Sequence, residues 1–414
     1  MVDTLVENTV TADLDERNGA FGPYWSDVST GEQIHQDDVG NLMHARTTDK
    51  GASWTTTQIA VASALQVACW YDRETPGDTG TLVHIAFFDL IGDDFVFYIT
   101  LDVSDGTIGT KRTVDSTITG GFFPADHRIA ITKTVSGNLI VAFSTLTEVE
   151  CYRSDDAGVT WTDRADVFET ATEKDWCLLF PAAMADDDDA CAMFWDRSAN
   201  AITLKMYDES ANTWTEFATA IAATAVDDAI HMNMDGAVRH SDSHILVAWH
   251  SDDDTTGDDL QTADLTVDSI ASPTVTAKTN VVTNQAESAQ VAVFINQQND
   301  DVYVAYLKGG TWTSTVDVVY HLSDDGMATW GTEQAYSESV ADDFRLVHAG
   351  RTVGNAGGRY QPSFYDDDQT DIYVNETNDI EIAAAGAPAG QPTQHRTQGI
   401  PTGSGYRDRP IRWN

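Results

Sequence analysis

Apolar and polar positions along this chain alternate with a period near two, in short runs rich in Val, Ile, Thr and aromatic residues. Clusters of Gly, Asp, Asn and Ser separate the runs, and a 3.6-residue period is almost absent, so the chain reads as nearly all β. One run recurs seven times: an apolar strand that closes on an aromatic, at Trp25, Phe88, Phe143, Trp195, Trp249, Tyr306 and Tyr365. Successive copies stand 63, 55, 52, 54, 57 and 59 residues apart. That spacing suits a repeated four-stranded unit of roughly 40 to 50 residues with modest loops.

A second signal falls between these copies. Thr47 to Trp54 and Ser154 to Trp161 both fit S/T-x-D-x-G-x-S/T-W, and Ser323 to Trp330 fits except that Met327 stands where Gly is expected. Tyr207 to Trp214 keeps little more than Thr213-Trp214. Such a motif suits a tight hairpin: the Asp accepts backbone N–H bonds, Gly takes a positive φ, and Trp closes over the turn. The motif resembles the Asp box of sialidase-like β-propellers. The resemblance implies that Asp49, Gly51, Trp54, Asp156, Gly158, Trp161, Asp325 and Trp330 shape turns away from any active face.

The expected fold is therefore an all-β propeller of seven four-stranded blades over residues 1–382, followed by an extension, 383–414. Strands are expected at 128–135, 138–144, 148–153 and 161–167 in the third unit. In the fourth they are expected at 178–184, 190–195, 201–207 and 213–218. The first unit has a poor candidate for its innermost strand. Sharing a blade with the last unit would close the ring and leave six blades, as in sialidases.

Charge changes the picture next. The 414 residues include 66 acids, 51 of them Asp, against 23 basic residues, for a net charge of −43. Clustered Lys or Arg for phosphate contacts are missing from the body, which argues against a nucleic-acid partner. The acids are spread, and in concentrated salt the Debye length shrinks to about 3 Å, so self-repulsion fades. Short carboxylates on a Lys-poor chain resemble proteins of extremely halophilic archaea and their viruses. Residues 1–18 carry acids where a secretory leader needs basic and apolar residues, and no run of about 18 apolar residues suggests membrane insertion. Cys69, Cys151, Cys177 and Cys191 read as buried free thiols, a Cys177–Cys191 bridge being the alternative.

In a four-stranded meander the first and third turns share a side, so the boxes mark one face and the aromatic strand ends point to the other. Trp25, Trp195, Arg197, Trp249, His250, Tyr306 and Tyr365 are expected to gather there. Rings flanked by Arg, Asp and His would suit a sugar; alternatively the rings only pack between blades. Phe344-Arg345-Leu346-Val347 partly resembles the Phe-Arg-Ile-Pro motif of sialidases, which adds Arg345 to the ligand set. The same resemblance implies an arginine triad, for which Arg73, Arg128, Arg197 and Arg345 are available with no spacing that singles out three. His240, His244 and His250 have loose metal-ligand spacing, but the intervening Ser-Asp-Ser reads as a turn, so neither a metal nor a cofactor is expected. Acid runs such as 186–189 and 252–254 are expected to solvate the surface or hold Ca²⁺ or K⁺ ions.

The extension carries Arg396, Arg407, Arg409 and Arg412 with Tyr406 and Trp413. Arg407, Arg409, Arg412 and Trp413 are expected to dock on acidic neighbours, either further copies of this chain or other particle proteins. The functional expectation is a structural and adhesive component of a haloarchaeal virus particle, a turret, spike or tail fibre, that binds host glycans. The alternative is a halophilic sialidase-like glycoside hydrolase, which would need a pair of positioned carboxylates.

Overall fold

The structure, a computed structural model, describes residues 3–385 apart from 9, 11–19, 61–63, 90–94, 117–128, 146, 169–174, 184, 197–198, 200, 218–220, 222–233, 252–257, 286–289, 309–316, 338–343, 355–356 and 367–369. Seven antiparallel four-stranded blades form a propeller ring. Blade 1 comprises Ala20–Trp25, Gly31–Gln36, Leu42–Thr47 and Thr55–Ala60, and blade 2 comprises Ala64–Tyr71, Leu82–Asp89, Phe95–Asp102 and Arg112–Asp115. Blades 3 and 4 start at Ile129–Lys133 and Trp176–Pro181, and blades 5 and 6 at Met234–Val238 and Val291–Asn296. Blade 7 takes Phe344–His348, Ser363–Asp366 and Asp371–Val374 from the end of the chain and Thr4–Glu7 from its beginning. Second strands such as Leu139–Ser144 and Ile245–Ser251 are buried along their whole length. Covered on both faces, they need no polar alternation and read in sequence as continuous apolar runs.

The fourth blade, Trp176–Pro181, Ala190–Asp196, Ala201–Asp208 and Thr213–Glu216, falls within a few residues of expectation. Blade 1 departs from it. Its second strand, Gly31–Gln36, is completely buried yet holds Glu32, Gln33, His35 and Gln36. Hydropathy hides such a strand, and the aromatic end at Trp25 belongs instead to the innermost strand, whose register shifts between Phe21 and Tyr24. The amino-terminal segment does join the last blade, but as its outermost strand, so the ring keeps seven blades rather than six.

The three motif turns share one bonding scheme. The Asp49 carboxylate accepts Ser53 N at 2.9 Å and Ser53 Oγ at 2.5 Å, and Thr47 Oγ1 donates to Asp49 while receiving Gly51 N at 3.0 Å. Asp156 does the same with Thr160 and Ser154, and Asp325 with Thr329 and Ser323. These bonds favour the ionised carboxylate and hold Asp156 and Asp325 down to about 2. Each turn also docks on the preceding blade. Gly158 of blade 3 lies against the Tyr98 ring of blade 2, and in blade 6 Trp330 Nε1 donates to Thr279 O of blade 5 at 2.8 Å.

Candidate functional site

The aromatic strand ends are interior. Trp195 and Trp249 are buried in the same apolar cluster as Phe88 and Phe143, and Tyr306 and Tyr365 are buried in two other clusters. Packing between sheets accounts for their recurrence better than an open sugar platform. Trp25 lies on the other side from the one expected. It ends an innermost strand, and the turn that follows meets the box turn of its own blade, where Lys50 N donates to Ser29 O at 3.1 Å. His250 ends the second strand of blade 5, fully buried, with burial holding its imidazole down to about 4. Arg345 sits on Phe344–His348, the innermost strand of blade 7. Arg197 and the tail residues Arg407, Arg409, Arg412 and Trp413 lie outside the described residues.

The three histidines do not converge. His244 bonds Asp264 at 2.7 Å, His250 stands at the opposite end of the same strand, and His240 lines a separate pocket. Among the described residues no group of three His, Cys, Asp or Glu could hold a metal. The four cysteines are buried and free, and Cys177 and Cys191 pair with Phe194 and Phe180 across the strands rather than with each other.

What the topology does bring together lies on the axis. Innermost strands of all seven blades line a cavity of about 30 Å³, bounded by Phe21, Cys69, Ile131, Leu179, Asp235 and Val291 among others. That is room for a water or two, so the channel is plugged. Its plug is ionic. The Arg351 guanidinium lies 5.8 Å from each of the Trp70 and Phe180 rings and donates from Nε and Nη2 to Asp235 Oδ1 at 3.1 Å. Asp235 Oδ2 accepts Val293 N at 2.8 Å. Glu74, from the short helical turn Asp72–Glu74, accepts Arg351 N at 3.3 Å and Tyr71 N at 3.2 Å. Burial outweighs Arg351 here and pushes the Glu74 carboxyl up to about 7.

The segment 72–81, the first turn of blade 2, reaches over the axis on the box side to meet blades 5, 6 and 7. Asp72 anchors its root, accepting from Leu82 N at 2.9 Å and pairing with His84 and Lys133. Beside it opens a pocket of about 310 Å³ lined by Arg73, Gly77, Asp78, Thr79, His240, Gln297 and Gly354. Arg73 Nη1 donates to the carbonyls of Trp25 at 3.1 Å and Ser26 at 2.9 Å, which fixes the guanidinium. His240 is held by its backbone N–H to Gln297 Oε1 at 2.8 Å, and its Nε2 is buried without a hydrogen-bond partner. Burial lowers its pKa below the ordinary histidine value, so the ring is neutral at pH 7. Asp78 is turned to Lys133 Nζ at 2.8 Å. Of these residues the sequence points to Arg73, as one of four candidates for a carboxylate-binding arginine triad, and to His240, for loose metal-ligand spacing. The signal it passed over is length: 72–81 is a long, charged turn between two apolar strands, where the equivalent turn of blade 3 is only 134–138.

No protein-family model matches the chain, and no curated protein matches it in sequence. Solved structures do match in fold. A polysaccharide lyase of the ulvan lyase family superposes with a TM-score of 0.57 at 8% identity, over 93% of this chain and 95% of that one. The same enzyme bound to -[GlcA(1-4)Rha3S]- gives 0.54 over the same shares, also at 8% identity. AofleA from Arthrobotrys oligospora gives 0.50 at 11% identity, over 82% of this chain and 90% of that one. At these identities the likeness is one of fold: this chain is built as those propellers are.

Proposed function

We propose that this chain is a glycan-binding propeller that acts by adhesion. In the finer form of that reading it is a turret, spike or tail-fibre component of a virus particle from an extremely halophilic host. The observation that carries the binding reading is the pocket beside the axis. It is preformed, its walls come from turns of four blades, and it combines Arg73, Thr79 and His240 with backbone open at Gly77 and Gly354. A rigid frame with a few convergent polar groups suits a ligand rich in hydroxyls. The fold is shared with a lyase whose structure holds a bound saccharide, -[GlcA(1-4)Rha3S]-. The particle role is supported by the charge of −43 and by the basic, aromatic segment 383–414, suited to acidic neighbours in a repetitive assembly.

The hydrolase alternative has less behind it. Glu74 and Asp235 are the axial carboxylates, and both are turned to Arg351 rather than to the pocket. A glycan array probed with the full chain in ~3 M KCl, where screening is nearly complete, tests the binding reading. The expected result is a restricted set of glycans retained by the wild type and lost in Gly354→Val, whose Cβ would lie 3.6 Å from Arg73 Cδ in the pocket wall. No retained glycan, or an unchanged pattern in Gly354→Val, would overturn it.

A further inference from the structure

Cations are scarce in this chain, and almost every described one is spoken for. Lys50, Lys111, Lys133, Lys205, Lys278 and Lys308 each pair with a carboxylate, as do Arg46, Arg153, Arg164, Arg239, Arg351 and Arg359. Among the Lys and Arg side chains that the structure describes, which exclude that of Arg345, Arg112 and Arg73 have no ion pair. Arg112 is exposed on the outermost strand of blade 2, where water solvates it. Arg73 is 7% exposed.

With 66 acids available, a buried guanidinium without a carboxylate stands out. Burying a cation without its counter-ion is costly, and the two carbonyls that receive Nη1 offset that only in part. Tyr71, whose ring lies 5.5 Å from the guanidinium, covers it on one side and donates its own hydroxyl to the same Trp25 carbonyl at 3.1 Å. Nε and Nη2 have no acceptor among the described residues, and the side chain lines the pocket. The other charged groups nearby are accounted for. Asp78 and Asp72 share the single Lys133 ammonium, Asp72 also bonds His84, and Glu74 faces Arg351. His240 lines the same pocket, with its Nε2 shielded from solvent.

We infer that Arg73 forms a subsite for one anionic group, a carboxylate or sulfate, carried by the glycan that the pocket binds. Two parallel N–H bonds from Nε and Nη2 match the two oxygens of such a group. This inference rests on the binding reading for its sugar but not for its anion.

Calorimetric titration of the full chain with D-glucuronate, D-glucose, acetate and inorganic sulfate tests it, in the lowest KCl that keeps the circular dichroism native. Glucuronate is expected to bind the wild type at least about ten-fold more tightly than glucose, a difference typical of one charged hydrogen-bonded pair. Arg73→Gln should erase that preference and Arg73→Lys should keep part of it. Loss of the two carbonyl bonds could unfold Arg73→Gln. Gly354→Asp therefore serves as a second variant: its Cβ would lie 3.6 Å from Arg73 Cδ, so its carboxylate takes the anion's place with those bonds intact. Arg112→Gln should behave as wild type. Equal affinity for glucuronate and glucose, or a preference that survives both Arg73→Gln and Gly354→Asp, would overturn the subsite. Arg73-dependent binding of acetate or sulfate without any sugar would uphold the anion site and remove the glycan reading. Tight binding of glucose alone would do the reverse.

Discussion

At the fifth position of each motif turn the choice of residue follows the space behind it. A Cβ on Gly51 would lie 2.8 Å from the Gln361 amide, and one on Gly158 would lie 2.1 Å from Cε1 of Tyr98, with φ at +91° and +83°. Met327 holds the same position at φ +67° and is fully buried, because there the wall is an apolar cluster that its side chain fills. The departure from the motif that the sequence displayed is thus a packing solution, invisible without the neighbouring blade. Gly158→Ala combines steric overlap with a disfavoured φ and is expected to cost about 2–4 kcal/mol, whereas Gly77→Ala, at φ +82° in open space, should cost about 1 kcal/mol. Chemical denaturation in concentrated KCl measures both, and equal losses would contradict the role of the Tyr98 ring. Titration gives a second residue-scale expectation. Burial first, and then Asp115, Glu148 and other acids, push Glu150 up to about 8. A carboxyl raised in the folded state binds more protons there than in the unfolded chain, so its contribution falls as pH rises from about 4.5 toward 8. Melting temperature at fixed salt should therefore drop between pH 5 and about 8.5, and Glu150→Gln should flatten that slope. The Asp156 and Asp325 carboxylates, held down to about 2, act in the opposite sense and lose their contribution only below about pH 4.

Between strands and ring stand the outer turns, several of which fasten their blade to the one before. Motif turns do this in blades 1, 3 and 6. Blade 4, whose motif has eroded, uses polar side chains instead: Arg164 Nε donates to the Tyr207 hydroxyl at 2.8 Å and Ala165 N to Asn212 Oδ1 at 3.0 Å. The closing contact is Thr4–Glu7 on Asp371–Val374, reinforced by Thr56 Oγ1 to Glu7 Oε2 at 2.6 Å. Deleting residues 1–8 would bare the outer edge of blade 7, and unpaired edges invite association. Calorimetry should show a lower and broader transition, and size exclusion should show oligomers; a monomer with wild-type melting would contradict closure by that strand. The inner strands of blades 3 and 4, and the aromatic-ended second strands of blades 2, 5, 6 and 7, were legible in the sequence because interior strands are apolar on both faces. Gly31–Gln36 was not, since a strand with Glu32, Gln33, His35 and Gln36 looks exposed until Glu32 is seen to pair with Arg46 and His44. That one hidden strand moved Trp25 to the opposite face in the reading.

For the molecule as a whole, periodicity revealed the ring but not where a ligand would enter. The recurring rings are conspicuous because packing demands them in blade after blade, which is why they were weak guides to a site. The pocket depends on features that occur once: a long turn at 72–81, a histidine at 240 on blade 5, and glycines at 77 and 354. Only closure of the ring carries Arg73 across to blades 5, 6 and 7, and no spacing in the sequence encodes that meeting. The scarcity of cations gives Arg73 its meaning, because a buried guanidinium left unpaired in so acidic a chain has been withheld from its own carboxylates. Ligand is expected to enter beside the axis, on the face that carries the motif turns. Hydrogen–deuterium exchange of the full chain, with and without the glycan best retained on the array, tests it most directly. Protection is expected in 72–81, 239–244, 297–300 and 349–354 together. Protection confined to 222–233, 252–257 and 286–289, with the first set unchanged, would contradict it.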